Sequence, residues 1–330
     1  MSIYTEDLTK VYGSTRALEG VCISVDQGAI LGVVGSSGSG KSTLVRNIAL
    51  LERPTRGRVV LDGQDLTALP ERELRTARRR LGNVFQSANL LDNRTARANI
   101  EYPLEIAGWD RTKRWHRAQE LLELVGLATR GEAYPAQLSG GQRQRVGIAR
   151  ALAGKPSVIL ADEPTSALDP STTQEILALL TDLRDELDVT ILLITHDLAI
   201  VRQIADRVAV LDEGRVVVQG DLADVASNPD SGLLPPLGAP PQPAAGELIV
   251  NVLAGTDSSA SFISALAREL NTDVRIIDGE VLRLGTQTVS QFQLGLSGNG
   301  HPAPDRVDEY SQWFSRHGLG FVVPAPEVPA

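Results

Sequence analysis

The chain has 330 residues, 42% hydrophobic and 22% charged, with a formal net charge of -9. It is long and apolar enough to fill about two globular cores, and it lacks the positive electrostatic footprint of a general nucleic-acid binder. With one cysteine, Cys22, no intrachain disulfide can form; its place in the apolar run "GVCISV" predicts a small buried side chain in a reducing compartment.

The amino terminus, "MSIYTEDLTKVYG", lacks the charged-then-apolar pattern of a signal peptide. No window approaches the roughly 18 apolar residues of a membrane span, so a cytosolic chain is expected, with any membrane role borrowed from a partner. From 1 to about 85 the apolar runs are short and β-branched ("VCISV", "AILGVVG", "RVVLDG"), which predicts strands with one helix after Lys41. Between the strand-like "AILGVV" and the helix-like "TLVRNIALL" stands "GSSGSGKST" (35–43), a complete G-x-x-x-x-G-K-[ST] phosphate loop in the context that makes the motif credible. Gly35, Gly38 and Gly40 let the backbone curl so that the N–H groups of the loop, including Ser36, Ser37 and Ser39, surround phosphates. Lys41 reaches the outer phosphates, Ser42 suits Mg²⁺, and Thr43 completes the nucleotide-binding set.

Residues of about 88–153 predict a helical insert, with Ala118, Leu121, Leu122 and Val125 at helical spacing in "TKRWHRAQELLELVGL". Within it, "QLSGGQRQRVGIARAL" opens a helix on Ser139, Gly140 and Gly141, whose unhindered N–H groups and positive dipole end favour an anion. Arg143 and Arg145 read as a solvated face. Beyond the insert, "SVILADEP" delivers Asp162 and Glu163 to a strand end; Asp162 suits Mg²⁺ and Glu163 suits the orienting or deprotonation of an attacking water. A helix over 171–187 leads to "TILLITHD", whose His196 ends the next strand where it can donate to a γ-phosphate. This βαβ rhythm predicts a mainly parallel sheet. The other histidines, His116, His301 and His317, lack ligand spacing.

The stretch 228–246, "NPDSGLLPPLGAPPQPAAG", reads as a Pro/Gly-rich linker. After it come a strand, a helix with Phe262, Leu266 and Leu270 on one face, "DVRIIDGEVLRLG", "TVSQFQLGL", a helix with Val307, Tyr310 and Phe314, and the strand "GFVV". That βαββαβ order predicts a ferredoxin-like α+β domain over 247–330, behind an α/β domain over 1–227.

The phosphate loop, the acidic and histidine strand ends and "LSGGQ" (138–142) together resemble the nucleotide-binding subunits of ABC transporters, a P-loop NTPase cassette with a RecA-like core and helical subdomain. The resemblance implies an ATPase using ATP and Mg²⁺. It further implies that Ser139, Gly140, Gly141 and Gln142 cover the ATP held by a second copy in a head-to-tail homodimer. Tyr12 in "KVYG" corresponds to the aromatic that stacks on adenine, Gln86 in "NVFQS" to the glutamine that senses Mg²⁺, and "SALD" (166–169) to a loop crossing the dimer interface. A single cassette implies a separate membrane permease, an extracytoplasmic solute-binding protein and a peripheral place on the cytoplasmic face. Within the family, "LLERPTRGRVVLDGQDLTAL", "NLLDNRTARANIEYPLEIAG" and the tail resemble the ATPases of methionine importers, whose carboxy-terminal domain binds methionine and inhibits transport. Arg275 departs from the small amide that the resemblance implies near that ligand; an arginine there either grips a carboxylate at two points or fills the pocket. Import of another small solute, with the tail serving dimerisation, and a soluble ABC ATPase are the alternatives.

Overall fold

The computed structural model describes residues 1–226, 228, 232–235, 237–255, 262–284, 287–298 and 302–324. It divides into two compact units, Met1–Gln219 and Gly220–Ala330.

In the first unit, β1 (Ile3–Tyr12) pairs antiparallel with β2 (Thr15–Val21) and β3 (Ser24–Val25). Strand β4 (Ile30–Val34) then runs into the phosphate loop, and α1 (Lys41–Ile48) follows it. Strand β5 (Arg56–Leu61) returns antiparallel to β1 and pairs with β6 (Gln64–Asp65). A short helix, α2 (Glu71–Ala77), precedes β7 (Leu81–Val84). The sequence reading gave no helix there, although Pro70 ahead of Glu71 and Glu73 is a legible helix start, with acids in the first turn.

The insert is helical as expected, comprising α3 (Ala96–Ile106), α4 (Arg111–Leu124) and α5 (Gly140–Leu152). Then come β8 (Val158–Asp162), α6 (Pro170–Leu187), β9 (Thr190–Ile194), α7 (Leu198–Ile204), β10 (Arg207–Asp212) and β11 (Arg215–Asp221). The main sheet has the order β11-β10-β4-β9-β8-β7, with β10, β4, β9, β8 and β7 parallel to one another. Strands buried on both faces need continuous apolar runs, and "ILGVV" and "TILLI" are buried at every position. One apolar cluster spans the antiparallel and the parallel sheet, holding Leu44 and Ile48 of α1 together with Leu8, Leu18, Leu160 and Ile194.

Cys22 is exposed, against expectation. It follows β2 at a position where the alternation buries Val21 and Ile23 and turns the residue between them outward.

The second unit begins with α8 (Leu222–Ala226). It continues as β12 (Glu247–Ala254), α9 (Phe262–Glu269), β13 (Thr272–Leu284), β14 (Gln287–Gly298), α10 (Val307–Arg316) and β15 (Gly320–Val322). The antiparallel order β13-β14-β12-β15 makes the βαββαβ chain a ferredoxin-like sheet. Leu248, Val250, Val252 and Ala254 alternate onto one face of β12, where they meet Phe262 and Leu266 of α9 and Tyr310, Trp313 and Phe314 of α10. Each such large side chain contributes about 2 kcal/mol when withdrawn from water. The other sheet face carries part of the Pro/Gly-rich segment: Gln291 Nε2 donates to Pro235 O at 3.1 Å and Gln293 Nε2 to Gly238 O at 3.2 Å.

Candidate functional site

Parallel register assembles the site. Val33 of β4 is level with Ile194 of β9, which is level with Asp162 of β8. The three adjacent strands therefore end together, and the phosphate loop, Glu163 and His196 emerge at one carboxyl edge, where open α/β sheets bind ligands. A cleft of about 510 Å³ opens there, lined by Ser37, Gly38, Gly40, Lys41, Ser42, Thr43, Glu163 and His196.

The loop is tightly determined. Gly38 and Gly40 take φ of 84° and 106°, a left-handed region that disfavours side chains. A Cβ on Gly35 would lie 2.2 Å from Leu211 O and 2.5 Å from Ser39 Oγ. Lys41 is almost buried, and its ammonium is held by the loop itself, donating to Gly35 O at 2.8 Å and Ser36 O at 2.7 Å. Ser39 Oγ is buried with no hydrogen-bond partner, a polar group left over in a cradle of backbone donors.

Asp162, half-buried at the end of β8, has its carboxyl pushed up by burial and by the charge of Glu163, against the lowering influence of Arg46 and Lys41. Glu163 follows in the left-handed region, φ 46°, while its N–H donates to Ile194 O at 2.8 Å. Such a conformation in a non-glycine residue marks strain held by its surroundings. It turns the side chain toward β9, where Glu163 Oε1 stands 2.8 Å from His196 Nδ1.

Not every predicted residue joins the cleft. Gln86 is exposed on the loop after β7 and is not among the lining residues. Tyr12 ends β1 with 42% of its surface exposed; it reaches the site's margin through its hydroxyl, which meets Thr43 and donates to Glu52. That bond to Glu52 is the main reason its phenol pKa is raised.

Ser139, Gly140, Gly141 and Gln142 also lie outside the cleft of their own chain. Ser139 caps α5: its Oγ accepts from Gln142 N at 3.2 Å, and Gln142 Oε1 accepts from Ser139 N at 3.0 Å. This capping box occupies the side chains of both residues and leaves the N–H groups of Gly140 and Gly141 pointing out of the helix start. Arg143 and Arg145 are not a merely solvated face. Arg143 Nη1 donates to Leu138 O at 2.7 Å, while Arg145 donates to Val125 O and Glu175 Oε2, each at 3.0 Å. Asp169 of "SALD" caps α6, accepting from Thr172 N at 3.0 Å and Thr172 Oγ1 at 2.6 Å.

Two residues that sequence reasoning missed brace the Gln86 loop from α5. Gln144 Nε2 donates to Phe85 O at 3.1 Å, and Arg150 donates to Asn89 O and Ala88 O at 2.6 and 2.5 Å. Burial holds the Arg150 guanidinium below its usual pKa. Their signal was available: polar side chains on the apolar face of α5 need partners.

In the second unit, Arg275 grips Glu247 at two points, with Nη2 at 2.8 Å from Oε1 and 3.0 Å from Oε2. The pair crosses Gly295, where a Cβ would meet Glu247 Oε1 at 2.1 Å. The carboxylate that Arg275 holds is thus the chain's own. His317 stacks on Trp313 with centroids 3.9 Å apart, and His116 packs edge-on against Trp115. His301 lies outside the described residues. Among the described residues no group of three or more His, Cys, Asp or Glu could hold a metal, and no helix is long and apolar enough to cross a membrane.

Residues 18–166 match the family model described as ABC transporter, and residues 249–322 the one described as NIL domain. The chain is similar to the methionine import ATP-binding protein MetN of Thermobifida fusca, 50% identical over 296 residues, or 88% of this chain and 92% of that protein. It is similar also to the protein of the same name in Symbiobacterium thermophilum, 45% identical over 99% of this chain and 98% of that one. Among solved structures, the dimeric post-hydrolysis state of an ATP-binding cassette bound to ADP and Pi aligns with TM-score 0.61 at 38% identity. That alignment covers 67% of this chain and 98% of the cassette.

Proposed function

The chain belongs to the ATP-binding subunits of ABC transporters, and from that premise we propose that it is the ATP-hydrolysing subunit of a methionine importer. In this reading residues 1–227 form the catalytic cassette, 228–246 a linker and 247–330 a regulatory domain. Two cassettes pair under a membrane permease on the cytoplasmic face, and an extracytoplasmic solute-binding protein delivers methionine. The names of the relatives support the substrate.

The observation that carries the reading is the meeting of Lys41, Ser42, Glu163 and His196 in one cleft at the edge of three parallel strands. The backbone N–H groups of residues 36–41 cradle the phosphates of ATP, and Lys41, which now saturates the carbonyls of Gly35 and Ser36, turns its ammonium to the β and γ oxygens. Glu163 accepts a proton from the water whose oxygen forms the new bond to the γ-phosphorus; the bridging P–O bond breaks in line, and ADP leaves with the electron pair. His196 orients Glu163 through Nδ1 and, in its imidazolium form, has a second N–H to donate to the γ-phosphate. Ser42, Asp162 and Gln86 offer the hard oxygen donors that suit Mg²⁺, and the half-buried carboxyl of Asp162 is a group that a cation would stabilise in its ionised form. When bound, Mg²⁺ offsets phosphate charge. That Ser139 to Gln142 stand outside their own chain's cleft supports their closing over the ATP of the partner copy.

Glu163→Gln is the test. It is expected to leave ATP binding near the wild-type level and to lower turnover by about a hundredfold or more; near wild-type hydrolysis would remove Glu163 from this role.

A second reading draws on the Arg275–Glu247 pair: with its guanidinium committed, the tail serves dimerisation and takes no ligand carboxylate at that position. Titration of the full chain with L-methionine against other amino acids separates the two. Selective binding of methionine supports feedback inhibition through the tail, and binding of a different solute points to another substrate.

A further inference from the structure

Glu52 lies outside the cleft, yet it ties together the residues around Tyr12. It sits between α1 and β5, and its backbone N–H donates to Arg46 O in the last turn of α1 at 3.2 Å. Its Oε2 accepts the hydrogen bond from the Tyr12 hydroxyl and stands 3.8 Å from Lys10 Nζ. Its Oε1 stands 3.5 Å from Arg46 Nη1. Lys10 is anchored in turn, donating to Arg53 O at 2.7 Å, and its ammonium lies 5.1 Å over the Tyr12 ring. The Tyr12 hydroxyl also meets Thr43, the third residue of α1.

A lone exposed ion pair contributes little. Here one carboxylate receives a phenol and two cations, and its main chain closes onto the helix that the phosphate loop starts, so displacing the Tyr12 ring disturbs several contacts at once. Stacking on an aromatic ring depends on where the ring stands, and Tyr12 stands at the end of β1 with 42% of its surface exposed. We propose that Glu52 is a positioning residue: it clamps Tyr12 to α1 and so sets the distance between the adenine platform and the phosphate loop. The proposal rests on the reading of Tyr12 as the residue that stacks on adenine.

The test compares two ligands that are not hydrolysed, ADP and inorganic pyrophosphate, by titration calorimetry on the full chain. The proteins are wild type, Tyr12→Ala, Glu52→Ala and Glu52→Gln. Glu52→Ala is expected to weaken ADP by about fivefold or more while pyrophosphate keeps its wild-type affinity, because only the base uses the platform. Glu52→Gln keeps an oxygen that accepts from the phenol and is expected to recover most of the ADP affinity. If Tyr12→Ala weakens ADP and Glu52→Ala does not, the clamp is overturned while the Tyr12 reading stands. If Glu52→Ala weakens both ligands equally, Glu52 supports α1 and not the ring, which also overturns the proposal. If Tyr12→Ala leaves ADP unchanged, the platform reading fails and the clamp falls with it.

Discussion

Gly35 and Ser39 show how little freedom the phosphate loop has at the scale of a residue. With Leu211 O 2.2 Å and Ser39 Oγ 2.5 Å from where its Cβ would be, Gly35→Ala must push the loop away from β10. The expected result is a loss of about 1–3 kcal/mol in stability together with weakened ADP binding, read by chemical denaturation and calorimetry on the same variant. Glu163 is the opposite case, a residue whose identity is chemical and whose backbone is strained to suit. The motif pointed to its proposed role but not to its left-handed φ or its bond to His196, since both depend on β9 lying beside β8. Cys22 was misread because an apolar neighbourhood in sequence does not say which side of the strand a residue faces.

Helix α5 makes the argument for elements. Its opening Ser-Gly-Gly-Gln is at once a capping box and a pair of exposed N–H groups, so the motif is as much a rule for starting a helix as one for meeting phosphate. Ser139→Ala removes the acceptor of the Gln142 N–H and is expected to cost about 1 kcal/mol, seen as a lower denaturation midpoint even without nucleotide. If stability is unchanged and only activity falls, the capping contribution is absent. Strands β12 and β13 offer a second case, joined over β14 by Glu247 and Arg275. Burial raises the Glu247 pKa, but the Ala244 N–H and Arg275 outweigh it and the net shift is downward. Because folding lowers this pKa, the ionised pair stabilises the unit above the unfolded carboxylate value of 4.5, and that contribution is lost as the pH falls through the folded value. Arg275→Ala is expected to lower the melting temperature at neutral pH, where Glu247 is left buried and unpaired. The gap to wild type should shrink as the pH falls below 4.5 and Glu247 takes up its proton. A gap independent of pH would exclude the pair as its source.

At the scale of the molecule, each unit closes its own core, around α1 in one and around α9 and α10 in the other. A chain ended before the tail is therefore expected to fold and bind ATP, since every residue lining the cleft belongs to the first unit. In a reconstituted importer, methionine is expected to slow ATP hydrolysis by the intact chain and not by the shortened one. Equal inhibition of both would place any methionine sensing outside the tail.

The sequence by itself determined what is local: a phosphate loop between strand and helix, carboxylates and a histidine at the ends of apolar runs, a helical insert, and a βαββαβ tail. Each is written in adjacent residues, as period, turn glycine or spacing. Tertiary structure alone decided which of these meet. Lys41, Glu163 and His196 share a cleft because β4, β9 and β8 are neighbours in parallel register. The glycines of α5 stand apart from that cleft, and Arg275 faces Glu247 across an intervening strand. Contacts between residues distant along the chain depend on strand order and on which side chains a sheet face leaves room for, and neither is encoded within a single element.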